Sequence, residues 1–304
     1  MQFLLSFVLF VSASAAFAQA PTTPHIAAKA YVLADYHSGQ LLVSTNPQQR
    51  VEPASLTKLM TAYVTFNALK QKTLKPDQAI PVSPRAWKSD GSRMFIEPNR
   101  PVTVDELLKG LIVQSGNDAC VALAEAIAGS EEIFAQVMNR EAQRLGMKNT
   151  NFVNSTGLPH PQHYTTAYDL SLLAAAIVRD YPEYYPLYSI KEYRYNNITQ
   201  SNRNRLLWID PTVDGMKTGF TDNAGYCVIT SARRGPRRLI SVVLGANSEA
   251  VRATESQKLL NYGFQFFDTV RLYEKNQAVS SVKIWKGAAN QVKTGFPYDF
   301  YLSV

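Results

Sequence analysis

Ser55 and Lys58 stand three residues apart at the head of a segment with helical apolar spacing, so a helix there sets hydroxyl and amine on one face. A serine hydroxyl attacks a carbonyl only when a neighbour takes its proton. Lysine can do so if its pKa falls from about 10.4 toward 7–8, through burial or a nearby cation. A nucleophile at a helix N-terminus also finds backbone N–H groups turned toward a developing oxyanion. Ser115-Gly116-Asn117 adds a hydroxyl that can relay a proton to a leaving amine and an amide that can hold a substrate backbone. An N-capping serine followed by a turn glycine is the other reading of that triplet. Lys217-Thr218-Gly219 supplies a cation and a hydroxyl suited to a carboxylate, and a glycine that admits a ligand strand close to the backbone.

Each pattern has a second copy: Ser280 with Lys283, Ser44-Thr45-Asn46, and Lys293-Thr294-Gly295. Order and context separate the sets. Only Ser55, Ser115 and Lys217 follow one another on a helix, an interhelical loop and a strand. The four histidines, His25, His37, His160 and His163, fall in the N-terminal tail, a turn and a Pro-rich loop, which argues against a Ser-His-Asp hydrolase. His160-Pro161-Gln162-His163 has no carboxylate or cysteine nearby to complete a zinc site, and both histidines read as surface loop residues. No metal and no cofactor is expected. Cys120 and Cys227 each sit in an apolar run and read as separate buried thiols rather than a bridge.

The elements that must position these groups follow from periodicity. Lys29–Tyr36 and Leu41–Val43 read as a hairpin around His37-Ser38-Gly39-Gln40. Leu56, Leu59, Met60, Tyr63 and Val64 mark one face of a helix, and residues 75–99 read mostly as loop. Helices are expected from the Thr103 N-cap to Gln114, over 119–128, over 131–145 and over 166–179. Tyr193–Thr199 reads as one strand, Tyr226–Ser231 and Leu239–Leu244 as two more, and Ser248–Phe267 as a closing helix. The expected class is α+β, with an antiparallel sheet flanked by helices. Beyond a boundary near Asp268 the pattern turns to short alternating strands. The stretch 268–304, about 35 residues, is too short for a stable β-domain, so the sequence is expected to be truncated there.

At the other end, the apolar run Phe3–Val11 is too short to span a bilayer, and Ala16-Phe17-Ala18 has the form of an export cleavage site. A signal peptide over residues 1–18 is expected. The 304 residues are 46% hydrophobic and 18% charged, which describes a globular chain, and no second long apolar run follows. The formal charge of +7 favours acidic partners, anionic lipid or the carboxylates of a cell wall. Export and the lack of a long basic tract argue against nucleic acid.

The set S-x-x-K, S-x-N and K-T-G marks the penicillin-binding proteins and serine β-lactamases. The surrounding PASLTKLMTAY, QSGNDACVALAE, VDGMKTGFTDNAGYC and NYGFQFFDTV closely resemble the low-molecular-weight D-alanyl-D-alanine carboxypeptidases, from about Lys29 to Val270. The resemblance implies a β-lactamase/transpeptidase-like catalytic domain over 27–267 and the start of a C-terminal β-rich domain over 268–304. It implies Ser55 as acylated nucleophile, Lys58 as proton acceptor, Ser115 in proton transfer and Asn117 holding the peptide. Lys217, Thr218 and Arg203 would receive the terminal carboxylate, and the N–H groups of Ser55 and Phe220 the oxyanion. The family commonly has histidine where Phe220 stands, so altered acylation is expected here. Implied partners are stem peptides ending in D-Ala-D-Ala, with β-lactams as covalent inhibitors. The implied place is the periplasm, with attachment to the outer face of the inner membrane in members that carry an anchor helix. A β-lactamase would need a deacylating carboxylate, and Glu183 has no supporting pattern around it. An endopeptidase, a transpeptidase and a non-catalytic wall-binding protein share the same motifs.

Overall fold

The computed structural model describes residues 22–304, so the expected signal peptide lies outside the described residues. Strands β1 (Ala30–Asp35) and β2 (Leu41–Thr45) form the anticipated hairpin. A single 3-10 turn, Ala54–Thr57, leads into α1 (Lys58–Lys70). Residues 75–99, expected as loop, also hold β3 (Ala79–Ile80) and α2 (Pro84–Trp87), and β3 pairs with β4 (Val102–Thr103). Next come α3 (Val104–Lys109), a π-helical turn Gly110–Gln114, α4 (Asn117–Ala128), α5 (Glu131–Arg144) and α6 (Ala167–Asp180). Thr103 and Glu106 cap α3 reciprocally, the capping box that a Thr-x-x-Glu spacing predicts.

The Tyr193–Thr199 segment corrects the sequence reading, because it is a hairpin rather than one strand. β5 (Glu192–Tyr195) turns back into β6 (Ile198–Ser201) through Asn196 and Asn197, at φ 48° and 60°. Asparagine tolerates the left-handed region at both central positions of a two-residue turn, and the tight turn hides inside what looks like a continuous run. After α7 (Leu206–Ile209) come the long strands β7 (Val213–Thr221), β8 (Gly225–Arg234) and β9 (Arg237–Ala246), then α8 (Glu249–Phe266).

The main sheet is antiparallel throughout, in the order β2-β1-β9-β8-β7. It is covered on both faces, which is why its strands read as apolar runs rather than as alternating patterns. Val32, Ile240, Val242 and Leu244 face the main helical layer with Leu59 and Tyr63, while Leu33, Leu239 and Val243 face α8 with Leu259 and Leu260. A Cβ at Gly263 would come within 2.6 Å of Leu33 and 2.7 Å of Leu239, so α8 lies on the sheet as closely as backbone allows. β10 (Thr269–Tyr273) pairs with β13 (Phe300–Ser303), and β11 (Ser280–Lys283) with β12 (Gln291–Thr294). The first ribbon is tied to the β1–β2 turn by Ser303 Oγ at 2.7 Å from Ser38 Oγ, and by a Thr269 hydroxyl bond to Asp35. The second copies of the first and third motifs lie on or next to β11 and β12, whose residues are all exposed, so neither copy has the buried lysine of the first set.

A second correction concerns His163, which is 2% exposed instead of lying on the surface. The Val153 N–H donates to its Nδ1 at 3.1 Å, so the proton sits on Nε2, which donates to Thr57 Oγ1 at 2.8 Å. Burial, with a smaller push from His160, lowers its pKa from 6.5 to about 4. Between those two values the unfolded chain takes up a proton that the folded chain refuses, so stability is lost as pH falls from 6.5 toward 4. The full effect amounts to about 3 kcal/mol. Urea unfolding of wild type and His163→Gln across pH 7 to 4.5 checks this. The wild-type stability should fall more steeply with acid than that of the variant, and parallel slopes would contradict the assignment.

Candidate active site

Ser55 sits in the 3-10 turn before α1, and a cleft of about 560 Å³ opens above it. Lys58, the first residue of α1, is fully buried, with its Nζ 3.1 Å from Ser55 Oγ. The same nitrogen donates to Asn117 Oδ1 and to the Thr156 carbonyl, each at 2.6 Å. A neutral amine has two N–H bonds and one lone pair. Two fixed acceptors take both N–H bonds, and the remaining tetrahedral direction faces the serine hydroxyl. Burial lowers the Lys58 pKa from the usual lysine value and outweighs the nearby groups, while the Arg203 guanidinium pushes it the same way. The geometry therefore presents a base to Ser55.

Lys217, in the middle of β7, is 3% exposed and held well below the usual lysine pKa by burial, then by Lys58 and Arg203. Each lysine disfavours the charge on the other, so the pair favours one ammonium and one amine. An incoming carboxylate would place the charge on Lys217. Thr218 and Arg203 line the cleft, as does Ser115. Ser115 is at φ 64°, is not the N-cap of α4, and its buried hydroxyl has no partner among the described residues. The N-cap reading of that triplet falls away, and a hydroxyl held without a partner is available to a ligand. The six residues singled out from the motifs, and Arg203 from the resemblance, thus meet at one place: five line the cleft, and Lys58 and Lys217 lie buried beneath it.

Three supports of this cluster were not read from the sequence. Asp118 accepts from the N–H groups of Met94, Phe95 and Ile96 at 3.0, 2.8 and 3.3 Å, fastening the 91–96 loop over the cleft. Glu131 accepts from Ser155 N and Oγ at 2.9 and 2.6 Å and holds the loop that presents the Thr156 carbonyl. Gly157, at φ +87°, packs so tightly that an added Cβ would lie 1.8 Å from the Ala54 carbonyl. The third support is Arg252 on α8, 5% exposed, which donates to the Gly219 carbonyl at 3.3 Å, pairs with Glu249 at 3.0 Å and lines the cleft together with Arg203. Phe220 is 48% exposed with its ring 4.4 Å from that of Tyr226, and both line the cleft. Cys120 and Cys227 are free and buried, and burial pushes the Cys120 thiol up to about 12, so it stays protonated.

Asp118→Asn replaces a carboxylate that serves three loop N–H groups with one acceptor and one donor, which leaves at least one buried amide unpaired. A loss of about 1–3 kcal/mol in unfolding free energy is expected, with faster proteolysis inside residues 88–96. Wild-type stability and an unchanged cleavage pattern would show that the loop does not hang on this side chain.

Comparison with known proteins agrees with this geometry. Residues 17–248 match the D-alanyl-D-alanine carboxypeptidase family model of the S11 peptidases, and residues 267–304 match the C-terminal domain of penicillin-binding protein 5. The chain is 44% identical to the D-alanyl-D-alanine carboxypeptidase DacC of Escherichia coli, covering 94% of this chain and 74% of that one. It is 39% identical to DacF of Bacillus subtilis, over 93% and 75%. The structure of penicillin-binding protein 5 from Haemophilus influenzae superposes with a TM-score of 0.89 at 44% identity, over 93% of this chain and 84% of that one. Penicillin-binding protein D2 of Listeria monocytogenes in its ampicillin-bound form gives 0.74 at 31% identity, over 80% and 100%. On the family match and on these identities, the chain belongs to the D-alanyl-D-alanine carboxypeptidase family of S11 peptidases.

Proposed function

We propose that this protein removes the terminal D-alanine from peptidoglycan stem peptides through an acyl-serine, and that β-lactams acylate the same serine. The observation that carries this reading is the Lys58 nitrogen held between two fixed acceptors and Ser55 Oγ. Ser55 passes its proton to Lys58 as Oγ attacks the carbonyl of the penultimate D-alanine. The N–H groups of Ser55 and Phe220 receive the oxyanion. A Cβ at Gly219 would lie only 3.2 Å from Ser55 N, which supports that pairing because β7 runs directly against the nucleophile's turn. Lys217, Thr218, Arg203 and Arg252 hold the terminal carboxylate, and Asn117 holds the acyl amide. The proton that Lys58 took passes through the Ser115 hydroxyl to the departing amine, which leaves Ser115 protonated and Lys58 neutral again. Water then attacks the acyl-enzyme, with Lys58 again taking the proton.

Among the described residues the only carboxylate lining the cleft is Glu249, already paired with Arg252 at 3.0 Å, and Glu183 is not among the lining residues. Without a free carboxylate beside the acyl-enzyme, a penicillin adduct should turn over slowly, which favours a carboxypeptidase over a β-lactamase. The periplasm is the matching compartment. No helix among the described residues is long and apolar enough to cross a membrane.

Two readouts test this: D-alanine release from a stem pentapeptide, and intact mass after benzylpenicillin. Wild type should release D-alanine and carry one stable adduct. Ser55→Ala should lose both, and Lys58→Ala should acylate about 10²–10⁴-fold more slowly. Consumption of the drug without an adduct would indicate a β-lactamase, and an untouched drug without an adduct a non-catalytic binder.

A further inference from the structure

Side chains alternate along a strand, so Thr218 and Phe220 stand on one face of β7, about 7 Å apart. Lys217 and Gly219 point the other way, the lysine into the interior and the glycine against the turn of Ser55. Tyr226 is the direct partner of Phe220 on β8, which sets both rings on that same face. Their centroids lie 4.4 Å apart with 38° between the planes. Arg252 backs the pair, with its guanidinium 5.6 Å from the centre of the Tyr226 ring. Tyr226 packs against the apolar cluster under α8, but among the described residues Phe220 joins neither of the two clusters that build the core. Its ring stays half exposed and lines the cleft. Among the described residues the one other aliphatic side chain lining that cleft is Leu158, on the 154–158 loop. Aromatic surface is thus gathered beside Thr218, where core packing does not require it.

The carboxypeptidase reading places two points of the substrate along this stretch. The terminal carboxylate lies at Thr218, Arg203 and Arg252, and the scissile carbonyl oxygen lies at the Phe220 N–H. The Cα of the departing residue joins those two points, so its side chain starts within reach of the Phe220 ring. A methyl group covers little of such a ring, whereas a longer apolar side chain removes more of it from water. We propose that the Phe220 ring, seated on Tyr226, is a specificity-determining wall for the residue that departs, and that it admits terminal D-residues with apolar side chains larger than methyl. D-Alanine is then the smallest member of an apolar class. This rests on the carboxypeptidase reading above and deepens it.

The test uses three peptides, diacetyl-lysyl-D-Ala-D-X with X as alanine, leucine or asparagine, all of which leave the same acyl-enzyme. kcat/KM reports the step in which X departs, and its ratio between two peptides within one variant cancels any general loss. Wild type should cleave the leucine peptide at least as fast as the alanine peptide. It should cleave the leucine peptide about five-fold faster than the asparagine peptide, whose side chain is of similar size but polar. Phe220→Ser should erase the leucine/asparagine preference, and Phe220→Leu should restore most of it. Benzylpenicillin labelling of Ser55 checks that each variant is folded. Should Phe220→Ser lose its fold, Tyr226→Leu carries the same test, because it removes the supporting ring without altering β7 and should lower the ratio. Rejection of the leucine peptide by wild type, or a ratio unchanged in the folded variant, would overturn the wall while leaving the carboxypeptidase standing. Failure of wild type to cleave even the alanine peptide, while benzylpenicillin still acylates Ser55, would overturn the carboxypeptidase reading and the wall with it.

Discussion

An amine buried where an ammonium is costly is the constraint on which the rest of this structure depends. Removing a charged group from water without full compensation costs several kcal/mol, so the fold shifts the Lys58 equilibrium toward the neutral form and orients what remains. The two acceptors that fix its N–H bonds come from α4 and from the 154–158 loop, elements that meet only in the finished fold. Each acceptor is secured in turn. Asn117 is held by the 90–92 backbone, that loop by Asp118, Ser155 by Glu131, and the nucleophile's own turn by the Thr57–His163 bond. The carboxylates and the histidine that never meet a reacting atom therefore set the direction of the one lone pair that does.

The second lysine turns that arrangement into a site for an anion. Lys217 lies on the strand that carries Thr218 and Phe220, and its burial and the nearby cations leave the pair short of negative charge. A carboxylate placed beside Lys217 would supply that charge and favour its ammonium form. The sheet contributes stiffness. β7 is bonded along its length to β8, and Gly215 and Gly219 leave no room for movement against Tyr185 and the nucleophile's turn.

Residues whose identity the chemistry dictates were legible in the sequence. Ser55, Lys58, Ser115, Asn117, Lys217 and Thr218 announce themselves by type and order, Arg203 only through the family resemblance, and the long helices and central strands by caps and apolar spacing. Groups that act by position were not legible. Arg252 resembles any basic residue on a helix until α8 is laid against β7. His163 reads as a loop residue until Thr57 and Val153 close around it. Asp118 reads as a first-turn acid until the 91–96 loop folds back onto it. The Asn196-Asn197 turn failed for a local reason, because two asparagines inside a strand-like run carry a weaker signal than a glycine would.

The neutral amine beside Ser55 is best tested by the rate constant for benzylpenicillin acylation measured from pH 5 to 10. A base must be deprotonated to act, so the rate should climb with pH through the lowered Lys58 pKa and level off below about 10.4, where an ordinary lysine titrates. A rate still rising at pH 10, or one flat from pH 5 upward, would contradict the account.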